Sequence, residues 1–229
     1  MKIGGFQKTT LIDYPGKVAC TIFLSGCNLR CPWCYSKELV LPEEIKKQPE
    51  FSEEEIFSFL KERQGLLQGV VICGGEPTIQ KDLPLFISKI KEMGFLVKLD
   101  TNGTNPEILK KLIEKNLIDY VAMDVKLPKE KYQKILGISG DIIEESINIL
   151  KNSNLEYEFR TTIVPTIHEK KDIIEIAKWI SPQDKYFIQN FNSQKTIDQK
   201  FENMKGFTQE ELLEIKESIS PYFKIVEIR

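Results

Sequence analysis

Short apolar runs alternate with longer amphipathic stretches along most of the chain, and this alternation predicts an α/β fold. Strands are predicted at Lys17–Leu24, Gly69–Cys73, Leu96–Asp100, Tyr120–Lys126, Tyr157–Val164, Tyr186–Phe191 and Phe223–Ile228. Val70-Val71-Ile72-Cys73 is apolar at every position, as expected of a strand covered on both faces. Between the strands lie predicted helices. Ser52 caps one that starts Glu53-Glu54-Glu55, with Glu55 completing a capping box and Ile56, Phe59 and Leu60 on one side. Asn105-Pro106 opens another, whose apolar stripe is Ile108, Leu109, Leu112 and Ile113. Further helices are predicted to start near Asp141, Lys170 and Thr208, and all these stripes read as core contacts. Leu41–Glu50 and Asn192–Gly206 have no such pattern and are expected to be long loops, which in compact domains are often functional.

Strand–helix alternation implies a parallel sheet with right-handed crossovers. Six or seven strands fall short of the eight of a closed barrel, so the pattern leaves an open doubly wound sheet or a partial barrel. A length of 229 residues, with no repeat and no low-complexity linker, suits a single domain over residues 1–229. Charge changes the picture only by exclusion. The chain is 29% charged with a formal net charge of -2, and Lys46-Lys47 and Lys110-Lys111 lie among acidic residues on predicted helices. No basic footprint for nucleic acid is present, and solvated faces explain these lysines. The start, Met1-Lys2-Ile3-Gly4-Gly5, leads into polar residues, and no apolar run is long enough to span a bilayer, so no membrane role and a cytoplasmic location are expected. Thiols stay reduced there, and the five cysteines read as metal ligands or buried thiols before disulfides.

The chemistry concentrates in Cys27-Asn28-Leu29-Arg30-Cys31-Pro32-Trp33-Cys34, a C-x3-C-x2-C spacing directly after a predicted strand. Three thiolates suit three irons of a [4Fe–4S] cubane and leave the fourth open for a ligand. Structural zinc is the alternative. It needs a fourth ligand, and the one histidine, His168, is far along the chain, which leaves Cys20 or Cys73. Gly74-Gly75-Glu76-Pro77 follows the second predicted strand, where two glycines permit close approach of backbone to a ligand.

The three-cysteine motif, with an aromatic before its last cysteine and Gly-Gly-Glu-Pro downstream, resembles the radical S-adenosylmethionine (SAM) superfamily. The opening run from Gly5-Phe6-Gln7-Lys8-Thr9-Thr10-Leu11-Ile12-Asp13-Tyr14-Pro15 to Val18 resembles the activating proteins of anaerobic ribonucleoside-triphosphate reductase. Asp100-Thr101-Asn102-Gly103, Asp124-Val125-Lys126 and Arg160 to Pro165 resemble the wider group that includes pyruvate formate-lyase activating enzyme. The resemblance implies a partial (βα)6 TIM-like barrel with the cluster at its top. It implies Cys27, Cys31 and Cys34 as iron ligands, the Trp33 backbone near the adenine of SAM, and Gly74, Gly75 and Glu76 at its amino group, mainly through backbone. Asp100, Asn102, Asp124 and Lys126 would line the SAM and substrate side, with Asp124 and Lys126 as catalytic residues. Arg160 would meet the SAM carboxylate or form a structural ion pair. The implied reaction is reductive cleavage of SAM to methionine and a 5′-deoxyadenosyl radical, with flavodoxin or ferredoxin as electron donor. The implied partner is a glycyl-radical enzyme, anaerobic ribonucleotide reductase foremost, which would lose a glycine hydrogen.

Each residue also has a plainer reading. Asp100 and Asn102 are common turn formers, and Asp124 and Lys126, two apart on one predicted strand, face the same side and should pair if buried. Cys20 and Cys73 read as buried spectators, and His168 as a loop residue rather than a base. Tyr35 stands after the third cysteine, where many activases have histidine, and Gln189-Asn190-Phe191-Asn192 lacks the histidine of the pyruvate formate-lyase activase group. Two other functions fit the motifs: a radical SAM enzyme acting on a small molecule or peptide, such as a 7-carboxy-7-deazaguanine synthase, and a non-catalytic metal-binding interaction protein.

Overall fold

The computed structural model describes residues 1–193 and 195–229, without the side chains of Gln183 and Asp184. It has the strands β1 (Ile3–Thr10), β2 (Ala19–Leu24), β3 (Gly69–Gly74), β4 (Leu96–Thr101), β5 (Tyr120–Asp124), β6 (Glu156–Ile163), β7 (Gln183–Asn190) and β8 (Phe223–Ile228). They are hydrogen-bonded in chain order, from β1 to β8. β1 runs antiparallel to β2, whereas β2–β3, β3–β4, β6–β7 and β7–β8 are parallel pairs. The fold is therefore α/β with a mostly parallel, open sheet. Its openness rests on this linear order and not on a shortage of strands, which corrects the count of six or seven. The missed strand is β1, whose Gly4-Gly5 and polar Gln7-Lys8-Thr9 carry no apolar alternation.

The main helices are α1 (Glu53–Glu62), α2 (Leu83–Glu92), α3 (Pro106–Glu114), α4 (Gly140–Lys151), α5 (Lys170–Ile180) and α6 (Gln209–Ile219). Ser52 and Glu55 form the expected reciprocal cap on α1, and Thr208 and Glu211 form another on α6. The sequence reading overlooked α2, although Leu83, Phe86, Ile87 and Ile90 bury one face of it. Leu41–Glu50, expected to be loop, contains the short helix Pro42–Ile45, and Asn192–Gly206 contains the 3₁₀ turn Gln199–Phe201; Gln194 lies outside the described residues.

Contacts divide the chain into two compact units. One comprises Met1–Asn28, Ser36–Thr101 and Glu107–Val121. In it Tyr14, Ala19, Val71 and Tyr120 form a buried apolar cluster, with Cys73 and Leu96 packed against it. The other comprises Leu29–Tyr35, Asn102–Pro106 and Ala122–Arg229. Tyr132, Phe159 and Tyr186 are fully buried in it, the Tyr186 hydroxyl donating to Thr161 Oγ1 at 2.7 Å.

Candidate functional site

The glycine-rich turn is built by backbone against backbone. β3 ends at Gly74 with φ +124°, a conformation that side chains rarely adopt. A Cβ on Gly74 would stand 2.3 Å from the Leu24 carbonyl oxygen, and one on Gly75 would stand 2.0 Å from that of Gly26. With no side chains in the way, Gly75 N–H donates to Leu24 O at 2.9 Å and Glu76 N–H to Gly26 O at 2.8 Å. Gly26, itself at φ +101°, donates to Leu39 O at 2.7 Å. The turn thus holds the backbone that leads into Cys27. The close approach read from the two glycines is realised within the protein.

The Glu76 carboxylate is fully buried, and its Oε1 accepts from Thr78 N (3.1 Å), Thr78 Oγ1 (2.6 Å) and Thr101 Oγ1 (2.7 Å). It ties the turn to the end of β4. One residue before Thr101, Asp100 is paired with Lys98, a lysine only 2% exposed. Sequence reasoning passed over Lys98 because a lysine inside the β4 run looks like a solvent-facing position. Asn102 shapes its own loop, its Oδ1 accepting from Thr104 N at 3.0 Å and Thr104 Oγ1 at 2.6 Å.

A second group gathers where the end of β5 meets β6. Asp124, the last residue of β5, binds Arg160 Nε through Oδ1 at 2.9 Å and Lys126 Nζ through Oδ2 at 3.3 Å. β5 stops before Lys126, yet the two side chains share a side and pair. All three groups keep partial exposure, so they are not the fully buried pair weighed above. Burial pushes the Asp124 carboxyl up, but Arg160 and then Lys126 outweigh it and hold it below the usual carboxylate range. Burial works against the Lys126 ammonium; Asp124, then the Cys31 and Cys34 sulfurs, reverse this and raise it above its ordinary value. Lys126 therefore supplies positive charge to the second and third cysteines of the motif.

The cysteine loop turns locally through Cys34 N–H donating to Cys31 O at 3.0 Å. Trp33 is buried and meets the His168 ring edge-on, with centroids 6.2 Å apart. His168 is a loop residue, and a working one. Its Nδ1 accepts from Val164 N at 3.0 Å, which leaves the proton on Nε2 to donate to Lys126 O at 2.8 Å. Burial holds it below the usual histidine range, so the ring is neutral. Tyr132, also missed, accepts Lys126 N–H on its hydroxyl at 2.8 Å. The Lys126 backbone is thus held on both sides by residues whose partners only the fold reveals.

The donor set fits an iron–sulfur cluster. Cys27, Cys31 and Cys34 stand outside any disulfide on one short loop, the charge of Lys126 is coupled to two of them, and that loop has no imidazole. Among the described residues, no three His, Cys, Asp or Glu side chains converge as a single ion would require. A cubane takes each thiolate on a different iron and makes no such demand. Cys20 is fully buried, its thiol pushed by that burial up to about 12, and Cys73 belongs to the apolar cluster around Tyr14. Both are packing residues here. No helix among the described residues is long and apolar enough to cross a membrane.

An α/β sheet with three cysteines outside disulfides on the loop after its second strand, and a glycine turn bonded to the backbone just before that loop, suits a protein that holds an iron–sulfur cluster. The sequence pattern of the radical SAM superfamily matches residues 21–180, and the chain belongs to that superfamily. It is a radical SAM enzyme, and its cofactors are a [4Fe–4S] cluster and S-adenosylmethionine. A Methanocaldococcus jannaschii protein provisionally named a glycyl-radical enzyme activating enzyme is 38% identical, over 99% of this chain and 95% of its own. The 7-carboxy-7-deazaguanine synthase of Thermococcus kodakarensis is 30% identical, over 56% of this chain and 57% of its own. Among solved structures, Streptococcus suis SuiB bound to precursor peptide SuiA superposes with a TM-score of 0.67 at 16% identity. That match covers 91% of this chain and 48% of SuiB, and it speaks to the fold alone.

Proposed function

We propose that this enzyme activates a glycyl-radical enzyme, taking a hydrogen atom from a backbone glycine of a protein partner. The observation that carries the reading is the end-to-end similarity to the M. jannaschii protein, which leaves neither chain with a large unmatched part. Anaerobic ribonucleotide reductase is the favoured partner, on the resemblance of the run Gly5–Val18. When bound, the cluster and SAM supply the oxidising 5′-deoxyadenosyl radical, the electron coming from flavodoxin or ferredoxin.

The chain's own residues bind and orient. Cys27, Cys31 and Cys34 would hold iron. Gly75 and Glu76 already use their amides on Leu24 and Gly26, so a SAM ammonium would be met there by carbonyl oxygens. Trp33, its ring packed on His168, offers backbone rather than indole to the adenine. Asp124 and Lys126 would face SAM and the substrate glycine as a preset charge pair, and Arg160 would hold Asp124 in place. Asp100 and Asn102 would complete the cofactor's surroundings. The reading is tested by electron paramagnetic resonance after mixing reduced holoenzyme, SAM and the candidate reductase. A glycyl signal on the partner, lost when its target glycine is replaced by alanine, is the expected result. A silent partner together with SAM-dependent conversion of a purine-like small molecule would instead favour a deazaguanine synthase, which the T. kodakarensis similarity makes the second reading.

A further inference from the structure

The segment after β7, outside the residues that match the superfamily pattern, reaches back to the cysteine loop. Ile197 N–H donates to Cys34 O at 3.0 Å, and Asp198 N–H donates to Pro32 O at 2.9 Å. These bonds grip the backbone at the end of the motif, where the loop's own turn is Cys34 N–H to Cys31 O. The gripping segment is itself locked. Thr196 is 1% exposed and its hydroxyl donates to Asp198 O at 2.8 Å. Asp198 Oδ1 accepts from Lys200 N at 3.0 Å and starts the turn Gln199–Phe201, whose Phe201 packs edge-on against Phe191 with centroids 6.3 Å apart. At its base, the Asn190 side chain pairs with Phe207 in both directions, each bond 2.9 Å. Gly206 fits there because a Cβ would stand 2.6 Å from Asn190 Oδ1 and from Phe191 O. The described part of the segment is thus closed at its base by Asn190 and Phe207 and fixed where Ile197 and Asp198 meet the cysteine loop.

We propose that the stretch Thr196–Phe201 is a clamp for the cluster, in which Ile197 and Asp198 are positioning residues for Cys31 and Cys34. A cluster accepts thiolates only at set separations, and an irregular loop with few internal bonds does not hold its cysteines there unaided. Two amide donors from a locked segment supply the missing restraint. The proposal rests on Cys31 and Cys34 being iron ligands.

Proline removes an amide donor without adding a polar group. Ile197→Pro and Asp198→Pro are compared with Asp198→Ala, which keeps the N–H while losing the bond to Lys200, and with Cys31→Ser. The full chain is reconstituted anaerobically, and iron release to a chelator is followed by absorbance. The spectrum of the reduced cluster is recorded with and without SAM. Each proline variant should release iron about 5- to 30-fold faster, the factor that one or two lost hydrogen bonds give. Each should also alter the spectrum with SAM, and Asp198→Ala, which loses a lock on the segment but keeps the amide donor, should change both less than Asp198→Pro does. Wild-type release and an unaltered spectrum in both proline variants would overturn the clamp. Should those variants fail to fold, amide exchange in wild-type holoenzyme decides: slow exchange at Ile197 and Asp198 is expected, and exchange at the rate of open loops would overturn it. Full iron loading in Cys31→Ser would instead remove the ligand assignment on which the clamp depends.

Discussion

Gly75 shows how a single residue is read differently from sequence and from structure. Its lack of a side chain suggests close approach to a ligand; in the fold it also admits the Gly26 carbonyl, which would stand 2.0 Å from a Cβ. A Gly75→Ala protein should therefore lose stability, by about 1–3 kcal/mol as for other overpacked sites. Thermal melting before reconstitution checks this, and a wild-type melting temperature would argue that the turn yields easily. Asp124 is the second case. It binds Arg160 and Lys126 with different oxygens, so a double-mutant cycle of Asp124→Asn and Arg160→Met should give a coupling of about 1 kcal/mol. That figure is well below the cost of a dry ion pair because the groups keep contact with water. A coupling near zero would mean that Lys126 alone holds the carboxylate.

At the scale of elements, helix ends carry the clearest local logic. Ser52 with Glu55, and Thr208 with Glu211, are reciprocal caps whose spacing is visible in the sequence. The start of α5 is less obvious. Glu169 stands at its N-cap, Asp172 accepts from Glu169 N at 2.8 Å, and Lys131 Nζ lies 2.7 Å from both carboxylate oxygens of Asp172. Burial raises the Asp172 carboxyl, but the Glu169 amide and Lys131 outweigh it and leave it lowered. A carboxyl lowered by folding stabilises above its unfolded value and loses that contribution as pH falls through the folded one. Asp172→Asn should therefore unfold at a lower urea midpoint near neutral pH, with a deficit of about 1–3 kcal/mol. The deficit should shrink as pH falls below about 4, where the carboxyl of the unfolded chain takes a proton first and the folded one follows at lower pH. A difference independent of pH would assign the effect to packing. The overlooked α2 was legible in the same way: it has a regular apolar stripe, and Asp82 with Pro84 in the first turn is the same kind of start as Asn105-Pro106.

For the whole molecule, the sheet brings residues far apart in sequence to one chemistry. Asp124 ends one strand and Lys126 follows it, Arg160 comes from the next, and the charge of Lys126 is coupled to Cys31 and Cys34. A ligand that binds only this assembled state must stabilise it. SAM at a hundredfold excess over its Kd should add about 2.7 kcal/mol to the stability of the cluster-loaded enzyme, read as a rise in melting temperature. Chelation of the iron should abolish that increment. An equal rise in the iron-free protein would place SAM binding elsewhere.

The cysteine spacing, the Gly-Gly-Glu-Pro turn, most strands and the capped helices were legible because each depends on neighbours a few residues away. The class of chemistry was legible for the same reason, since three thiols on one short loop need no fold to be seen. The tertiary structure alone decided what depends on distant partners. It buried Lys98 beside Asp100, gave His168 the Lys126 carbonyl, and placed Cys73 in an apolar cluster. It also made Asn192–Gly206 more than a connection, because the amides of Ile197 and Asp198 carry no side-chain signature in the sequence. Backbone groups look alike along any chain, and only the path of the fold determines which carbonyls they meet.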